Sequence, residues 1–294
     1  MLTLRSPQEL FDLCVENEGK GQSISFVPTM GYLHEGHMSL IREGRRRGDL
    51  LVVSIYVNPL QFAPSEDLES YPRSPERDAA LCEEAGVDIL FLPSSETLYP
   101  NGYQTTVSIG PLADGLCGAS RPGHFDGVCT VVLKLFNLVR PKVALFGSKD
   151  YQQLQVIRAM VRDLNLGVEV VGMPIVRDPD GLAMSSRNAY LSAGQRAQAL
   201  CLSQSLDLAE QVVAAGERDS AVILAAVQSH IEQHDSAEID YVNLVDASSL
   251  EMVNGSIGPS SLVALAIRFG NTRLIDNRVL RLPPVPSGEH SVVV

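Results

Sequence analysis

The sequence has no apolar run approaching the roughly 18 to 20 residues a membrane helix needs, so nothing in it reads as a membrane span. Its start, "MLTLRSPQELFDLC", lacks a basic segment followed by an apolar stretch and a small-residue cleavage site, and the expectation is a cytoplasmic protein. Disulfide chemistry is also missing. The five cysteines, Cys14, Cys82, Cys117, Cys129 and Cys201, are odd in number, scattered, and never spaced Cys-x-x-Cys. That spacing argues against both a disulfide framework and a structural zinc site, and leaves them as small buried hydrophobes. Positive charge is scarce: 23 Lys and Arg stand against 35 Asp and Glu, a formal net charge of −12. A nucleic-acid surface requires clustered cations, so no nucleic-acid partner is expected. The one basic knot, Arg45 to Arg47, falls late in a helical pattern, where positive charge suits the helix dipole. Internal repeats and low-complexity segments are absent as well.

What is present is the balance of a globular chain: 45% hydrophobic and 20% charged residues over 294 positions, enough for two ordinary domains. The first 177 residues alternate short apolar runs with helical patterns. "ISFV", "LLVVSIYV", "VDILFLP", "KVALFG" and "VEVVGMPIV" are nearly continuous apolar stretches of strand length, as parallel strands buried on both faces require. Between them the spacing predicts helices over His37–Arg47, Ser74–Ala85, Gly127–Val139 and Tyr151–Asn165. The alternation predicts an α/β fold, a doubly wound parallel sheet of Rossmann-like type, with ligands at the carboxyl ends of its strands. At "VRDPDG" the pattern breaks. Beyond it come two helical segments, Ala193–Gly216 and Asp219–His234, then two strand-like runs, "IDYVNLVD" and "SSLVALAIRFG". These predict a smaller α+β domain over 178–283, and "RLPPVPSGEHSVVV" reads as a tail over 284–294.

One stretch combines unusual residues with a telling position. In "PTMGYLHEGH", His34 and His37 lie between an expected strand and an expected helix, at the start of which unpaired N–H groups and the helix dipole favour an anion. Gly31 and Gly36 let the backbone approach a bulky ligand closely. The pair could donate hydrogen bonds to phosphate; equally, one histidine could cap the helix while the other sits at the surface. A metal site would need a third ligand that is not near in sequence.

The stretch resembles the His-x-Gly-His signature of the nucleotidyltransferase and class I aminoacyl-tRNA synthetase superfamily. Taken with "VNPLQF", "EDLESYPR", "RPGHFDGVCTVV", "FGSKDYQQL" and "DGLAMSSRNAYLS", in this order, it resembles the pantothenate synthetase (pantoate–β-alanine ligase) family over nearly the whole chain. The resemblance implies ATP-dependent condensation of (R)-pantoate with β-alanine through pantoyl adenylate, releasing pyrophosphate and AMP, with magnesium as cofactor and a homodimer as the assembly. A carboxylate is a poor electrophile, and adenylation attaches a good leaving group to it. The protein must then mainly position reactants and stabilise phosphate charge.

Residue by residue, the resemblance implies that Met30, Gly31, Tyr32, Leu33, His34, Glu35, Gly36 and His37 line the ATP site, with His34 and His37 donating to phosphates and His37 in an acid or donor role. Gly147, Ser148, Lys149 and Asp150 form a second strand-to-helix junction; Lys149 offers a point charge and Asp150 a magnesium ligand. The family more often has Glu where Ser148 stands. Val176 is expected to meet adenine through its backbone at the end of the last strand. Met184, Ser185, Ser186 and Arg187 resemble the counterpart of the lysine-containing KMSKS loop, with Arg187 suited to polyphosphate, and the second domain is expected to act as a lid over ATP. Gln61 and Gln153 are assigned to pantoate, Gln61 also to β-alanine, and Asn58 to pantoate or to loop ordering. Tyr71 is expected to cover the site, and Asp78 to approach magnesium or to stand at a helix start. Three other readings use the same residues. They are a nucleotidyltransferase passing AMP to a phosphorylated acceptor, a non-catalytic nucleotide-binding module, and a metal-binding protein using His34 and His37.

Overall fold

The computed structural model describes residues 1–64 and 66–282; the expected tail over 284–294 lies outside them. Strands β1 (Leu2–Leu4), β2 (Ile24–Thr29), β3 (Leu50–Ile55), β4 (Ile89–Phe91), β5 (Val143–Gly147) and β6 (Glu169–Met173) form one sheet. Its order is β1-β4-β3-β2-β5-β6, and every pairing is parallel. The continuous apolar runs divide by alternate residues between two cores. Ile24, Phe26, Val52, Ile89, Phe91, Ala144 and Phe146 enter one. Val27, Leu51, Val53, Leu90, Val143 and Leu145 enter the other. This two-period split is why neither face of these strands can be polar.

Helices α1 (Pro7–Gly19), α2 (Glu35–Arg47), α3 (Pro75–Glu84), the short α4 (Ser95–Leu98) and α5 (Leu116–Ser120), α6 (His124–Val139) and α7 (Tyr151–Asp163) link the strands. Residues of α1, α6 and α7 join the first core, and residues of α2 and α3 join the second. The chain steps outward from β2 through β3 to β4, then returns to place β5 on the other side of β2. The crevice at the β2 and β5 carboxyl ends is therefore the topological switch point, where doubly wound sheets bind ligands.

The smaller unit holds α8 (Ala193–Ala199), α9 (Cys201–Ala214), α10 (Ser220–Ile231) and an antiparallel sheet of β7 (Ala237–Asp246), β8 (Ser261–Phe269) and β9 (Thr272–Leu280). Its core is separate and contains Leu202, Leu206, Ile223, Val227, Leu265 and Ile267. The structure departs from the sequence expectations beyond shifted helix ends and the short, unexpected α4 and α5. The single helix expected over 193–216 is divided between α8 and α9 at Leu200. Strand β9 is unexpected, because in "TRLIDNRVL" the charged Arg273, Asp276 and Arg278 fall on both faces and break the apolar alternation. Strand β1 is too short to signal itself. Val176 lies beyond the end of β6 rather than at it. All five cysteines are free and buried. Among the described residues no helix is long and apolar enough to cross a membrane.

Candidate active site

A cavity of about 220 Å³ opens at the switch point. Its first wall is the β2–α2 junction. The chain turns there through Gly31 at φ 85° and Tyr32 at φ 50°, a left-handed step that is costly for tyrosine. Asp78 holds it. Its carboxylate, 1% exposed, accepts from Tyr32 N–H at 2.7 Å and Leu33 N–H at 2.8 Å. Both oxygens are thus taken by backbone, and Asp78 is absent from the cavity wall. In place of the expected approach to magnesium, the structure shows a loop-fixing residue. Leu33 turns into the core, Glu35 pairs with Arg42 at the surface, and of the expected stretch only Met30, His34, Gly36 and His37 reach the cavity.

His34 is the N-cap of α2, and the two imidazoles form a reciprocal capping box. Gly36 N–H donates to His34 Nδ1 at 3.2 Å, and His34 N–H donates to His37 Nδ1 at 3.3 Å. A nitrogen that accepts carries no proton, so each neutral ring has its hydrogen on Nε2. Burial, reinforced by Lys149, lowers the His34 pKa to about 4. Burial, then His34 and Lys149, lowers that of His37 to about 3. Both are neutral Nε2–H donors near neutral pH. The capping and phosphate-donor readings are therefore compatible: one nitrogen serves the helix and leaves the other free. Among the described residues no three His, Cys, Asp or Glu side chains gather as a metal site.

The second wall is the β5–α7 junction. Gly147, Lys149 and Asp150 line the cavity, as does Gln153 in the first turn of α7. Ser148 does not; its carbonyl and that of Lys149 accept from Asn277 Nδ2 at 3.0 and 2.9 Å. Asn277 lies on β9, and its N–H donates to Asp276, which forms a forked pair with Arg177 at 2.6 and 3.0 Å. The small sheet thereby fixes the turn that presents Lys149. No side-chain partner holds Lys149 or Asp150 among the described residues.

The third wall is a 3-10 turn at Pro59–Gln61. Gln61 lines the cavity, whereas Asn58, 1% exposed, does not. Asn58 Nδ2 donates to Gly127 O at 3.0 Å and to Gln61 Oε1 at 3.3 Å, and its Oδ1 accepts from Tyr99 at 2.9 Å. Of its two expected roles the structure favours loop ordering: Asn58 orients Gln61. From the other side the Gln61 carbonyl accepts from His124 Nδ1 at 2.8 Å and Arg121 Nη2 at 3.2 Å. Because Arg121 Nη1 donates to His124 Nε2 at 2.9 Å, the His124 proton must sit on Nδ1. Burial and Arg121 lower the His124 pKa to about 4, so this ring too stays neutral. Gly127 lets α6 close on the turn, since a Cβ there would lie 2.3 Å from Leu60 O. Sequence reasoning missed Tyr99, His124 and Arg121, although "RPGHFDG" contained two of them. It also missed an apolar wall of Val128, Val131, Val132, Leu135 and Phe146.

Met184, Ser185, Ser186 and Arg187 close the cavity with Val176. Met184 N–H donates to Val176 O at 3.0 Å, which leaves the Val176 N–H as the backbone group not used in that bond. Ser185 Oγ caps the Ser186–Tyr190 turn by accepting from Arg187 N–H at 3.3 Å. Tyr71, 6% exposed, lies in the wall.

Comparison with known proteins gives a consistent result. The family model described as Pantoate-beta-alanine ligase matches residues 2–279. The pantothenate synthetase of Syntrophotalea carbinolica is 57% identical over 91% of this chain and 94% of its own length. That of Trichlorobacter lovleyi is 54% identical over 95% and 99%. A crystal structure of pantothenate synthetase from Thermus thermophilus superposes with a TM-score of 0.90 at 45% identity, covering 96% of this chain and 100% of that one. The Francisella tularensis pantoate-beta-alanine ligase complexed with beta-gamma ATP and beta-alanine gives 0.78 at 31% identity, covering 95% and 97%.

Proposed function

The chain belongs to the pantoate-beta-alanine ligase family, and from that premise we propose how its cavity carries the reaction. It condenses (R)-pantoate with β-alanine, using ATP and releasing AMP and pyrophosphate. The observation that carries the site assignment is the convergence at one switch-point cavity of two neutral imidazole donors, one lysine, one arginine and two amides.

ATP lies along the β2–α2 and β5–α7 junctions. Adenine faces the Val176 backbone, and the phosphates run past His34, His37 and Lys149 toward Ser185, Ser186 and Arg187. Pantoate takes the remaining end, its hydroxyls and carboxylate on Gln61 and Gln153 and its two geminal methyl groups against Val128, Val131, Val132 and Leu135. A pantoate carboxylate oxygen attacks the α-phosphorus, and the bond to the bridging oxygen of pyrophosphate breaks. Charge rises on the phosphoryl oxygens, where the His34 and His37 Nε2–H groups and Lys149 donate. Neutral donors suffice: no proton need leave His37, so its role is donation rather than acid catalysis. The β-alanine amine, next to Gln61, then attacks the acyl carbon. The acyl–oxygen bond breaks, AMP departs with that oxygen, and the amine loses its proton to solvent.

Magnesium fits this site. Asp150 presents a carboxylate with no partner among the described residues, and the ion characteristically takes one or two carboxylates together with phosphate oxygens. When bound it would neutralise polyphosphate charge. In the same proposal the smaller unit, tied to the Lys149 turn through Asn277, moves with that turn when it closes over ATP, and the active protein is a cytoplasmic homodimer. The test is single-turnover pyrophosphate release from ATP, magnesium and pantoate. One equivalent per site without amine, with AMP accumulating only once β-alanine is added, is expected. Absence of pyrophosphate under both conditions would refute the assignment.

A further inference from the structure

Arg187 reaches the cavity by a route the reaction alone does not explain. Its Nε donates to Asp67 Oδ2 at 2.9 Å and its Nη2 to Asp67 Oδ1 at 2.7 Å. Two parallel bonds of this kind fix a guanidinium in plane and direction. Both side chains are about three-quarters buried, at 27% and 23% exposure. Arg187 lines the cavity, whereas Asp67 does not. The fork consumes one edge of the guanidinium and leaves Nη1 with no partner among the described residues.

The contact belongs to a strap. Asp67 sits on the connection between the Gln61 turn and α3, and the same connection meets the Ser186–Tyr190 turn twice more. The Arg187 guanidinium stands 5.7 Å from the Tyr71 ring centre, and Tyr190 OH donates to Ser70 O at 2.8 Å. Its neighbour Glu66 grips Arg121 at 2.6 and 2.8 Å, and Arg121 in turn holds the Gln61 carbonyl. Adjacent acids therefore grip two arginines, one on the side proposed for pantoate and one on the side proposed for polyphosphate.

We propose that Asp67 is a positioning residue for the first half-reaction: it holds the Arg187 fork so that the free Nη1 edge faces the polyphosphate of ATP. This rests on the functional reading above. A long arginine side chain loses rotamer freedom when it engages phosphate, and Asp67 imposes that order beforehand. The benefit falls on pyrophosphate formation alone, because in the proposed sequence the bond to pyrophosphate is already broken when β-alanine attacks.

The test separates the half-reactions. Pyrophosphate release is measured in single turnover from ATP, magnesium and pantoate. Aminolysis is measured as AMP appearance from chemically prepared pantoyl adenylate and β-alanine. Asp67→Asn, which keeps the shape and removes the charge, should slow pyrophosphate release about tenfold, the loss expected for a weakened charge-assisted contact. It should also raise the ATP concentration for half-saturation and leave aminolysis within about twofold of the parent. Asp67→Glu should restore part of the first rate, and it carries the same comparison if the amide variant does not fold. Equal loss in both half-reactions would show a merely structural contact. An unchanged pyrophosphate rate, or tighter ATP binding from removal of a competing carboxylate, would overturn the proposal. Failure of the parent protein to release pyrophosphate would instead refute the functional reading.

Discussion

Replacing Asp78 by Asn probes the loop that presents both histidines. In the structure one buried carboxylate serves two donors, Tyr32 N–H at 2.7 Å and Leu33 N–H at 2.8 Å, beside the left-handed residues Gly31 and Tyr32. Asparagine keeps one acceptor oxygen and sets an NH₂ group against the other backbone donor. A hydrogen bond to a charged group contributes about 1.5 to 3 kcal/mol, and a buried donor left unpaired costs about 1 to 3. Some relaxation of the loop offsets part of the sum, so the substitution should destabilise the protein by about 2 to 3 kcal/mol, a large share of an ordinary domain's stability. Urea unfolding followed by circular dichroism measures this, and a magnesium titration of pyrophosphate release accompanies it. The expected pattern is lower stability and weaker ATP use, with the magnesium requirement unchanged at saturating ATP. Full stability together with a raised magnesium requirement would refute the reasoning and return Asp78 to the metal.

Two further outcomes follow from the same geometry. His34, His37 and His124 have pKa values lowered from 6.5 to about 4, 3 and 4, so on acidification the unfolded chain takes up their protons first. Stability from these rings is therefore complete above about pH 6.5 and declines as pH falls toward 4; the NMR resonances of these three imidazoles in the ligand-free protein should not titrate between pH 8 and 5.5, and midpoints near 6.5 for them would contradict this. Gly127→Ala places a Cβ 2.3 Å from Leu60 O and 2.7 Å from Gln61 N, both of them backbone atoms. Helix α6 must then back away from the Gln61 turn, costing about 3 kcal/mol and raising the pantoate requirement much more than the ATP requirement; equal responses to the two substrates would place the clash elsewhere.

Legibility in the sequence follows the distance between partners. The strand runs can be read because burial on both faces leaves a local apolar signature, and the residues after β2 and β5 because each motif is contiguous. The switch point itself needs only the order of strands. Asp78 reads as a helix-start or magnesium residue, since nothing local shows that its partner Leu33 is 45 positions away. Tyr99 serves Asn58 across 41 positions, and Asn277 serves Lys149 across 128. Such supporting contacts leave no periodicity behind. The same holds for the pairing of Asp67 with Arg187: the two motifs are each visible, and their union is not.

An acyl adenylate formed from pantoate at the α-phosphorus is the central step. Pantoate labelled with ¹⁸O in its carboxylate tests that step most directly, because the attacking oxygen bridges to phosphorus and leaves with AMP. One labelled oxygen per turnover should appear in AMP and none in pyrophosphate. AMP free of label while pantothenate still forms would mean that the carboxylate oxygen never reached phosphorus, and the proposed chemistry of this cavity would be wrong.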